Sequence, residues 1–347
     1  MLILGVESSC DETALALVKD GRTVICSLIS SQMDIHAKWG GVIPEIAARE
    51  HLSAVRGMYH QLLSESSVST SEIDAIAVTK GPGLVGCLLV GASFAKGLAL
   101  ATGKPLIPVN HVHAHVHGAL LGIETDLQNI FPTLALVVSG GHTNLYYMKS
   151  PVHFELMAHT IDDACGESFD KVGKMLGLPY PGGPHVEALA ARGRKGVVIM
   201  PKMVERKSQL YFSYSGLKTA VSLAIKSAST HNVSLADIAH SFQEEALGQI
   251  VRKLKVAVTM RPDTKSVIIA GGVAANARFK EIMAESIQLK TYFPPLKFCS
   301  DNAAMIAALA YHESTEPSLA SQTHDLDWDV FSRYPFEKFL ASDHPGF

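Results

Sequence analysis

The stretch Leu2–Val18 reads LILGVESSCDETALALV, in which two apolar runs, Leu2–Val6 and Thr13–Val18, enclose the polar turn Glu7–Glu12. The same arrangement recurs at 133–148, which reads TLALVVSGGHTNLYYM and turns at 139–143. Short apolar runs bounded by polar turns are typical of buried β-strands. The repetition therefore predicts two similar α/β units, each of which begins with a strand, a turn and a second strand.

Strand and helix signals alternate along the remainder of the chain, which indicates the α/β class. Further strands are predicted at 73–79, 106–109 and 267–270, and helices at 49–64, 87–102, 234–260, 275–286 and from 301 to about 311. In helix 234–260, Ser234 and Asp237 are expected to cap the N-terminus and Leu235 to face inward. In helix 49–64 one stripe is expected to face the core; it comprises Leu52, Val55, Met58, Tyr59, Leu62 and Leu63.

The length of the chain predicts more than one domain. Its 347 residues exceed the size at which a single core stops growing, roughly 250–300 residues. We expect two lobes with a cleft between them, divided into residues 1–125 and 126–347. The tail after about residue 312 contains no recognisable motif.

The charge balance excludes one class of nucleic-acid binder. The chain has 30 Lys and Arg residues against 33 Asp and Glu residues, whereas a uniformly basic coat protein has an alkaline isoelectric point. One basic region with interleaved aromatic residues is suited to local RNA contact, and a solvated face is the alternative. This region comprises Arg192, Arg194, Lys195, Lys202, Arg206, Lys207 and Lys218, with Tyr211, Phe212 and Tyr214 among them.

Cysteine usage and the N-terminus indicate the compartment. The five cysteines are scattered and form no C-x-x-C pair, which argues against a zinc ribbon or a disulfide framework and for a reducing compartment. The N-terminus contains acids and lacks the basic start of a signal peptide. The longest apolar stretch, Cys87–Ala101, contains a serine and a lysine and is shorter than a bilayer span. We expect a soluble cytoplasmic protein with no membrane contact.

Three glycine-containing turns follow predicted strands, at Gly81–Gly86, Ser139–Gly141 and Gly271–Gly272. Glycine lets backbone N–H groups approach a phosphate, although strand–helix junctions also use glycine for steric reasons alone. Together with the Ser8–Glu12 turn, they favour a nucleotide or phosphorylated ligand in the cleft. None matches the P-loop or dinucleotide-binding pattern, which disfavours those enzyme classes.

The segment Asn110–His117 reads NHVHAHVH and is the densest candidate for metal binding. On a helix, His111 and His115 share one face, and His113 and His117 share another. Either pair could bind a transition metal through imidazole nitrogens, and helical spacing does not choose between them. A carboxylate such as Asp301, at the start of a distant helix, would complete a two-His, one-carboxylate set.

Ten blocks resemble one known family in order and spacing. They are Gly5–Thr13, Gly40–His51, Gly81–Leu84, His111–His115, Val138–Thr143, Glu167–Lys171, Tyr180–Pro184, Ser213–Thr219, Gly271–Asn276 and Asp301–Ala304. With these blocks the chain closely resembles the TsaD family, the tRNA threonylcarbamoyladenosine transferases, from residue 2 to about residue 311. The resemblance implies a two-lobed α/β fold like that of actin, sugar kinases and heat-shock ATPases, with a duplicated ribonuclease-H-like core.

The resemblance also implies a metal and a substrate site. His111, His115 and Asp301 are expected to hold one divalent metal per subunit, with iron(II) favoured over zinc or magnesium. The implied reaction moves threonylcarbamoyl from threonylcarbamoyl-AMP to the N6 amine of adenosine 37 in tRNAs that read codons beginning with A. Asp11 or Glu12 is a candidate for orienting that amine. The expected substrate contacts are Val137, Val138, Ser139, Gly140, Gly141, Asp170, Gly183, Glu187 and Asn276.

Partners and rival functions follow from the same resemblance. Bacterial relatives work with TsaB and TsaE and with a separate synthase that makes the adenylate, so we expect these partners in addition to tRNA. A metal-dependent peptidase is one alternative, although the chain lacks His-Glu-x-x-His. An ATP-dependent carbamoyl-adenylate-type enzyme on the same fold is a second, and a non-catalytic nucleotide-dependent binding module is the third.

Overall fold

A computed structural model describes residues 1–204, 210–228, 232–317 and 326–333. The chain forms two compact units. Unit 1 contains Met1–His36, Val42–Ala114 and the described residues from Asn302 onward, and unit 2 contains Ala37–Gly41 and His115–Asp301. The units do not follow a single cut in the sequence, because the last helix belongs to unit 1. The division at residue 125 stays a prediction.

Unit 1 is built on a mixed five-stranded sheet with the strand order β3-β2-β1-β4-β5. β1 pairs antiparallel with β2, β2 pairs antiparallel with β3, and β1, β4 and β5 run parallel. The strands are β1 (Leu2–Glu7), β2 (Glu12–Lys19), β3 (Thr23–Ser31), β4 (Ala75–Gly81) and β5 (Leu106–Asn110). The helices in this part of the chain are α1 (Met33–Ala37), α2 (Pro44–Ser66), α3 (Val85–Thr102) and α4 (His111–Gly118). The last of them, α4, begins in unit 1 and continues into unit 2.

Unit 2 repeats this sheet. Its strand order is β8-β7-β6-β9-β10, with β6–β7 and β7–β8 antiparallel and β6, β9 and β10 parallel. The strands are β6 (Thr133–Val138), β7 (Thr143–Ser150), β8 (His153–His159), β9 (Ser266–Ala270) and β10 (Lys290–Tyr292). The helices are α5 (Cys165–Met175), α6 (Gly182–Ala190), α7 (Ser215–Ser227), α8 (Leu235–Met260) and α9 (Ala277–Ser286). The matching order and direction confirm the predicted pair of similar units.

The last helix, α10 (Ala303–Thr315), packs on the first sheet. Its first eight residues are buried and five of them are alanines, which permits a close approach to β1. A Cβ on Gly5 of β1 would clash with the carbonyl oxygen of Ala303. The absence of a side chain at Gly5 therefore allows α10, which follows Asp301 in the chain, to pack against β1.

Most predicted elements are present, but two inward positions are wrong. Leu52 in α2 is 68% exposed and Leu235 in α8 is 43% exposed. The core side of α2 is instead the face with Ala47, His51 and Val55. At the start of α8 the predicted cap is confirmed, since Ser234 N donates to Asp237 Oδ2 at 3.0 Å and Asp237 N to Ser234 Oγ at 3.1 Å.

Among the described residues, α3 is the one helix that is long and apolar enough to cross a bilayer. It packs against α2 and β4, and Cys87, Leu88 and Ala95 on its inner side are fully buried. Core helices of soluble proteins pass the same length and hydropathy test, so α3 is weak evidence for a membrane span.

Candidate metal centre and substrate turns

The metal-binding candidates lie where β5 passes directly into α4. Asn110 ends the strand, and its Oδ1 accepts hydrogen bonds from Val112 N at 2.9 Å and His113 N at 3.2 Å. These bonds satisfy two of the N–H groups that the first helical turn leaves without partners. The helix then places His111 and His115 one turn apart on the same face.

The structure brings His111, His115 and Asp301 together. One ligand atom from each residue lies within 4.8 Å of the others, and His115 Nε2 is 3.2 Å from Asp301 Oδ1. Both histidines are buried, and the Asp301 side chain is 23% exposed. Metal–ligand distances of about 2.0–2.2 Å put two ligands of one ion at most about 4.4 Å apart, so small side-chain adjustments suffice. Two imidazoles and one carboxylate suit a divalent transition metal and leave coordination positions open.

Glu7, at the end of β1, lies within hydrogen-bond distance of His111. Its Oε2 lies 3.0 Å from His111 Nδ1 and accepts a hydrogen bond from Thr79 Oγ1 at 2.6 Å, while its Oε1 accepts from Ser9 N at 2.5 Å. Glu7 is fully buried. A carboxylate at Nδ1 would hold the proton there and leave Nε2 available as a ligand, as in many carboxylate–histidine–metal sites. Sequence reasoning missed Glu7, because it placed this residue in the polar turn after the predicted strand Leu2–Val6, whereas the structure has it as the last residue of β1.

The other pair of histidines does not form such a group within the described part of the chain. His117 Nε2 lies 2.9 Å from the carbonyl oxygen of Pro151. Because a carbonyl only accepts, this nitrogen donates and is not turned toward a metal. Among the described residues, His111 and His115 are therefore the pair that belongs to a group of possible metal ligands.

Asp11 and Glu12 lie half-buried at the turn from β1 to β2. The carbonyl oxygen of Asp11 accepts a hydrogen bond from Gln32 N at 3.0 Å, and Glu12 is the first residue of β2. Neither belongs to the metal group of the described residues. Their role with the incoming amine stays a prediction.

The turn after β6 is open on its outer side. Val137 and Val138 are fully buried in β6, whereas Gly140 and Gly141 are exposed, with nothing within 4 Å of a Cβ added to either. The turn is closed by the bond from Ser139 N to the carbonyl oxygen of His142 at 2.8 Å. This geometry leaves room for an anion beside exposed backbone.

Two predicted substrate residues meet where α5 faces α6. Asp170 Oδ1 accepts hydrogen bonds from Gly182 N at 2.7 Å and Gly183 N at 3.4 Å. Burial raises the pKa of Asp170, and the two amide bonds oppose that rise. A Cβ on Gly183 would meet nothing within 4 Å, so the N-terminus of α6 has free space beside it.

Glu187 and Asn276 meet at the N-terminus of α9. Glu187 Oε1 accepts from Ala277 N at 2.7 Å, and Asn276 Oδ1 accepts from Phe279 N at 2.8 Å. Asn276 Nδ2 donates to Gln243 Oε1 at 3.1 Å. Hence the structure brings Glu187 beside Asn276 and Asp170 beside Gly183, each tied to the start of a helix.

The other two glycine turns each begin with a glycine that is tightly packed. A Cβ on Gly271 would clash with the carbonyl oxygen of Val138, and one on Gly81 would clash with that of Phe331. Both glycines also have φ values in the range that favours glycine, 89° and 149°. Their presence is explained by close backbone approach, which was the steric alternative for these turns.

The basic region that sequence favoured for RNA contact is only partly suited to it. Phe212 and Tyr214 are fully buried, so neither ring is accessible for contact with RNA. Arg194 is bound to Asp237 at 2.6 Å. Arg206 and Lys207 lie outside the described residues.

Comparison of the sequence with a family profile and with known relatives points to the same family. Residues 23–308 match the profile of the family described as "TsaD: tRNA N6-adenosine threonylcarbamoyltransferase". Relatives of that name from Fervidobacterium nodosum and Syntrophomonas wolfei are 46% and 43% identical to this chain. The alignments cover 88% and 92% of this chain, and 91% and 94% of the respective relatives.

Among solved structures, full-length HypF in its phosphate- and nucleotide-bound form is similar in fold, with a TM-score of 0.61 at 13% identity. The match covers 91% of this chain and 47% of HypF. At this identity the likeness concerns the fold alone. Together with the two matching five-stranded sheets, it confirms the predicted fold class.

Proposed function

The chain belongs to the TsaD family and is a transferase that threonylcarbamoylates adenosine in tRNA, and we propose that His111, His115 and Asp301 hold the metal ion of this reaction. The observation that carries the proposal is the convergence of three ligand atoms within 4.8 Å. The hydrogen bond between Glu7 and His111 Nδ1 supports it, because that bond leaves Nε2 for the metal.

The donor is threonylcarbamoyl-AMP in this proposal, and unit 2 binds it. The exposed backbone of Gly140 and Gly141 suits the adenylate phosphate. Asp170 and Glu187 bind the nucleoside hydroxyls, since a carboxylate has about four acceptor positions, of which backbone amides occupy two in Asp170 and one in Glu187. Asn276 is held by its bonds to Phe279 and Gln243, so its amide is already oriented when the nucleoside arrives.

The acceptor is the N6 amine of adenosine 37 in tRNAs that read codons beginning with A. His111, His115 and Asp301 would hold a divalent ion, which would supply a Lewis acid for a phosphate or carboxyl oxygen of the donor. Iron(II) suits two imidazoles and one carboxylate with open positions. Asp11 or Glu12 orients the incoming amine by accepting a hydrogen bond from it, and the amine displaces AMP from the carbamoyl carbon.

TsaB, TsaE and a separate adenylate synthase are the proposed protein partners, and the cytoplasm is the proposed location. The charge of the chain supports the need for partners. With a net charge of -3, the chain alone lacks a broadly basic surface and binds tRNA weakly and with strong dependence on salt.

A transfer assay tests the proposal. The full chain with these partners is incubated with unmodified tRNA and donor labelled in the threonyl group. We expect label in adenosine of the tRNA and one equivalent of AMP for each group transferred. Cleavage of peptide, or turnover of ATP without labelled tRNA, would contradict the proposed reaction.

A further inference from the structure

A groove with four lysines lies between α5 and α7 of unit 2. Its cavity measures about 770 Å³, and its lining comprises Lys171, Lys174 and Met175 of α5 and Ser215, Lys218, Thr219, Ser222, Leu223 and Lys226 of α7. No carboxylate is among its lining residues. The chain as a whole is slightly acidic, so this concentration of positive charge is a local feature.

The helical repeat explains the lining. In α7, Ser215, Thr219, Ser222 and Lys226 follow one another at spacings of four, three and four residues, which places them on one face. The lysines of α7 are therefore accompanied by a row of hydroxyl groups on the same wall. A wall of this kind offers both charged and neutral hydrogen-bond donors.

Two of the four lysines are fixed by acids beneath the groove. Lys171 Nζ lies 2.9 Å from Asp163 Oδ1 and 2.8 Å from Glu167 Oε1, and Lys218 Nζ pairs with Asp163 Oδ2. Burial of Asp163 favours its neutral form, but the bonds from Lys218 and Lys171 outweigh this and lower its pKa. Asp163 is therefore ionised, and its ion pairs with Lys171 and Lys218 hold both lysine side chains in place.

The other two lysines supply the net charge. Lys174 and Lys226 are exposed, and neither has a carboxylate within 4 Å in the part of the chain that the structure describes. Four cations set against Asp163 and Glu167 leave the groove positive. A lysine ammonium without an acidic partner is well suited to a phosphate group.

We propose that this lysine groove binds the phosphate backbone of the tRNA substrate, an inference that rests on the proposed tRNA reaction. Backbone contacts from lysines and hydroxyls fix the register of a nucleic acid without reading its sequence. The position of the groove supports this assignment. α5 contributes Lys171 and Lys174 to the groove and, in the same helix, Asp170 to the start of α6 in the proposed donor site.

The test compares two double variants that remove the same charge. K174Q/K226Q neutralises the two unpaired lysines of the groove, and K149Q/K255Q neutralises two exposed lysines outside its lining. The full chain is assayed for transfer with its partner proteins, and the KM for tRNA, the kcat and the salt dependence of tRNA binding are measured. All four positions are exposed, so both variants fold, which thermal unfolding checks.

For K174Q/K226Q we expect a rise of roughly tenfold in the KM for tRNA, with kcat at saturating tRNA changed by less than about twofold. The slope of log K against log salt concentration falls by about 1.5, as expected for two lost phosphate contacts. The control variant keeps the wild-type KM and slope.

The proposal is overturned if K174Q/K226Q has the same KM for tRNA and the same salt slope as the control variant. In that case, transfer by the wild type would still support the proposed function. Loss of binding to a protein partner with tRNA affinity intact also overturns it, because the groove is then a protein interface. If the wild type modifies no tRNA at all, the proposed function itself has failed.

Discussion

Glu7 shows how one buried residue prepares a metal ligand. Burying a carboxylate is costly unless its oxygens are hydrogen-bonded, and Glu7 accepts from Ser9 N and Thr79 Oγ1 and pairs with His111 Nδ1. In return it fixes the tautomer and the ring orientation of His111. The residue is thus a positioning group rather than a ligand.

We expect E7Q to bind the metal about 10–100-fold more weakly, which is the usual cost of losing such a partner. The glutamine amide keeps the size of the side chain, but it no longer provides two carboxylate oxygens for the three donors. Metal affinity and metal content are measured on the purified full chain. Rescue of transfer by excess metal would separate this effect from damage to substrate binding.

D74N is the matched control. Asp74 also accepts a hydrogen bond from a backbone amide of β1, Leu2 N at 2.6 Å, but at the other end of the strand. This variant is expected to keep wild-type metal affinity. Equal losses in both variants would indicate a general weakening of β1 and would contradict a positioning role for Glu7.

At this scale the sequence predicts ligand types better than their surroundings. The His-rich segment is conspicuous by composition, but only the fold shows that His115 meets Asp301, 186 positions further along the chain. Glu7 was missed for the same reason, since two of its three partners, Thr79 and His111, are set by the pairing of β1 with β4 and by the start of α4. Long-range contacts of this kind leave no local pattern.

At the scale of secondary structure, caps decide where the helices begin. α8 is the 26-residue helix that packs against α6, α7 and α9, and its N-terminus is closed by the reciprocal bonds of Ser234 and Asp237. Asp237 also accepts from Arg194, so this cap ties the segment after α6 to α8. The hydrogen bonds from Arg194 and Ser234 lower the pKa of Asp237.

We expect S234A to destabilise the protein by about 1 kcal/mol, the usual cost of losing a serine cap, and to lower the midpoint of thermal unfolding by about 2–4 °C. Loss of the hydroxyl leaves the N–H of Asp237 without its acceptor. S53A in the exposed middle of α2 serves as the control, since Ser53 Oγ only donates to the Arg49 carbonyl of its own helix. An equal midpoint for the two variants would exclude a capping contribution.

The elements that sequence reasoning missed have physical reasons for being missed. β3 and β8 are edge strands with half-exposed residues, so neither contains the apolar run that identifies a buried strand. α6 begins with Gly-Gly-Pro, a combination that is typical of turns, and its helical start depends on Asp170 accepting from Gly182 N. β6, which is buried on both faces, was predicted with its observed bounds, whereas β4 was predicted at 73–79 and is found at Ala75–Gly81.

At the scale of the whole molecule, the duplication predicted from two strand–turn–strand openings extends to both complete sheets. The five strands of each unit have the same order and the same directions. The strand–turn–strand segments that begin the two units nevertheless differ in the chemical groups that they present. The turn after β1 is preceded by Glu7, which supports a metal ligand, whereas the turn after β6 exposes two glycines.

The slightly acidic net charge of the whole chain bears on how it binds tRNA. It excludes a uniformly basic surface, and the four lysines that line the groove of unit 2 are the local positive charge that we propose for tRNA contact. The aromatic residues once expected to aid RNA contact, Phe212 and Tyr214, belong to the core instead. Backbone phosphate contacts rather than stacking on these two rings are therefore the expected mode of binding.

The central claim is that His111, His115 and Asp301 hold the metal on which transfer depends. The most direct measurement follows metal content and threonylcarbamoyl transfer in the same samples, as metal is removed from the wild type and restored. We expect transfer to rise in proportion to occupancy up to one ion per chain, and H111A/H115A to bind no ion and to transfer nothing at any metal concentration. Full transfer by metal-free wild type, or by H111A/H115A, would contradict the account.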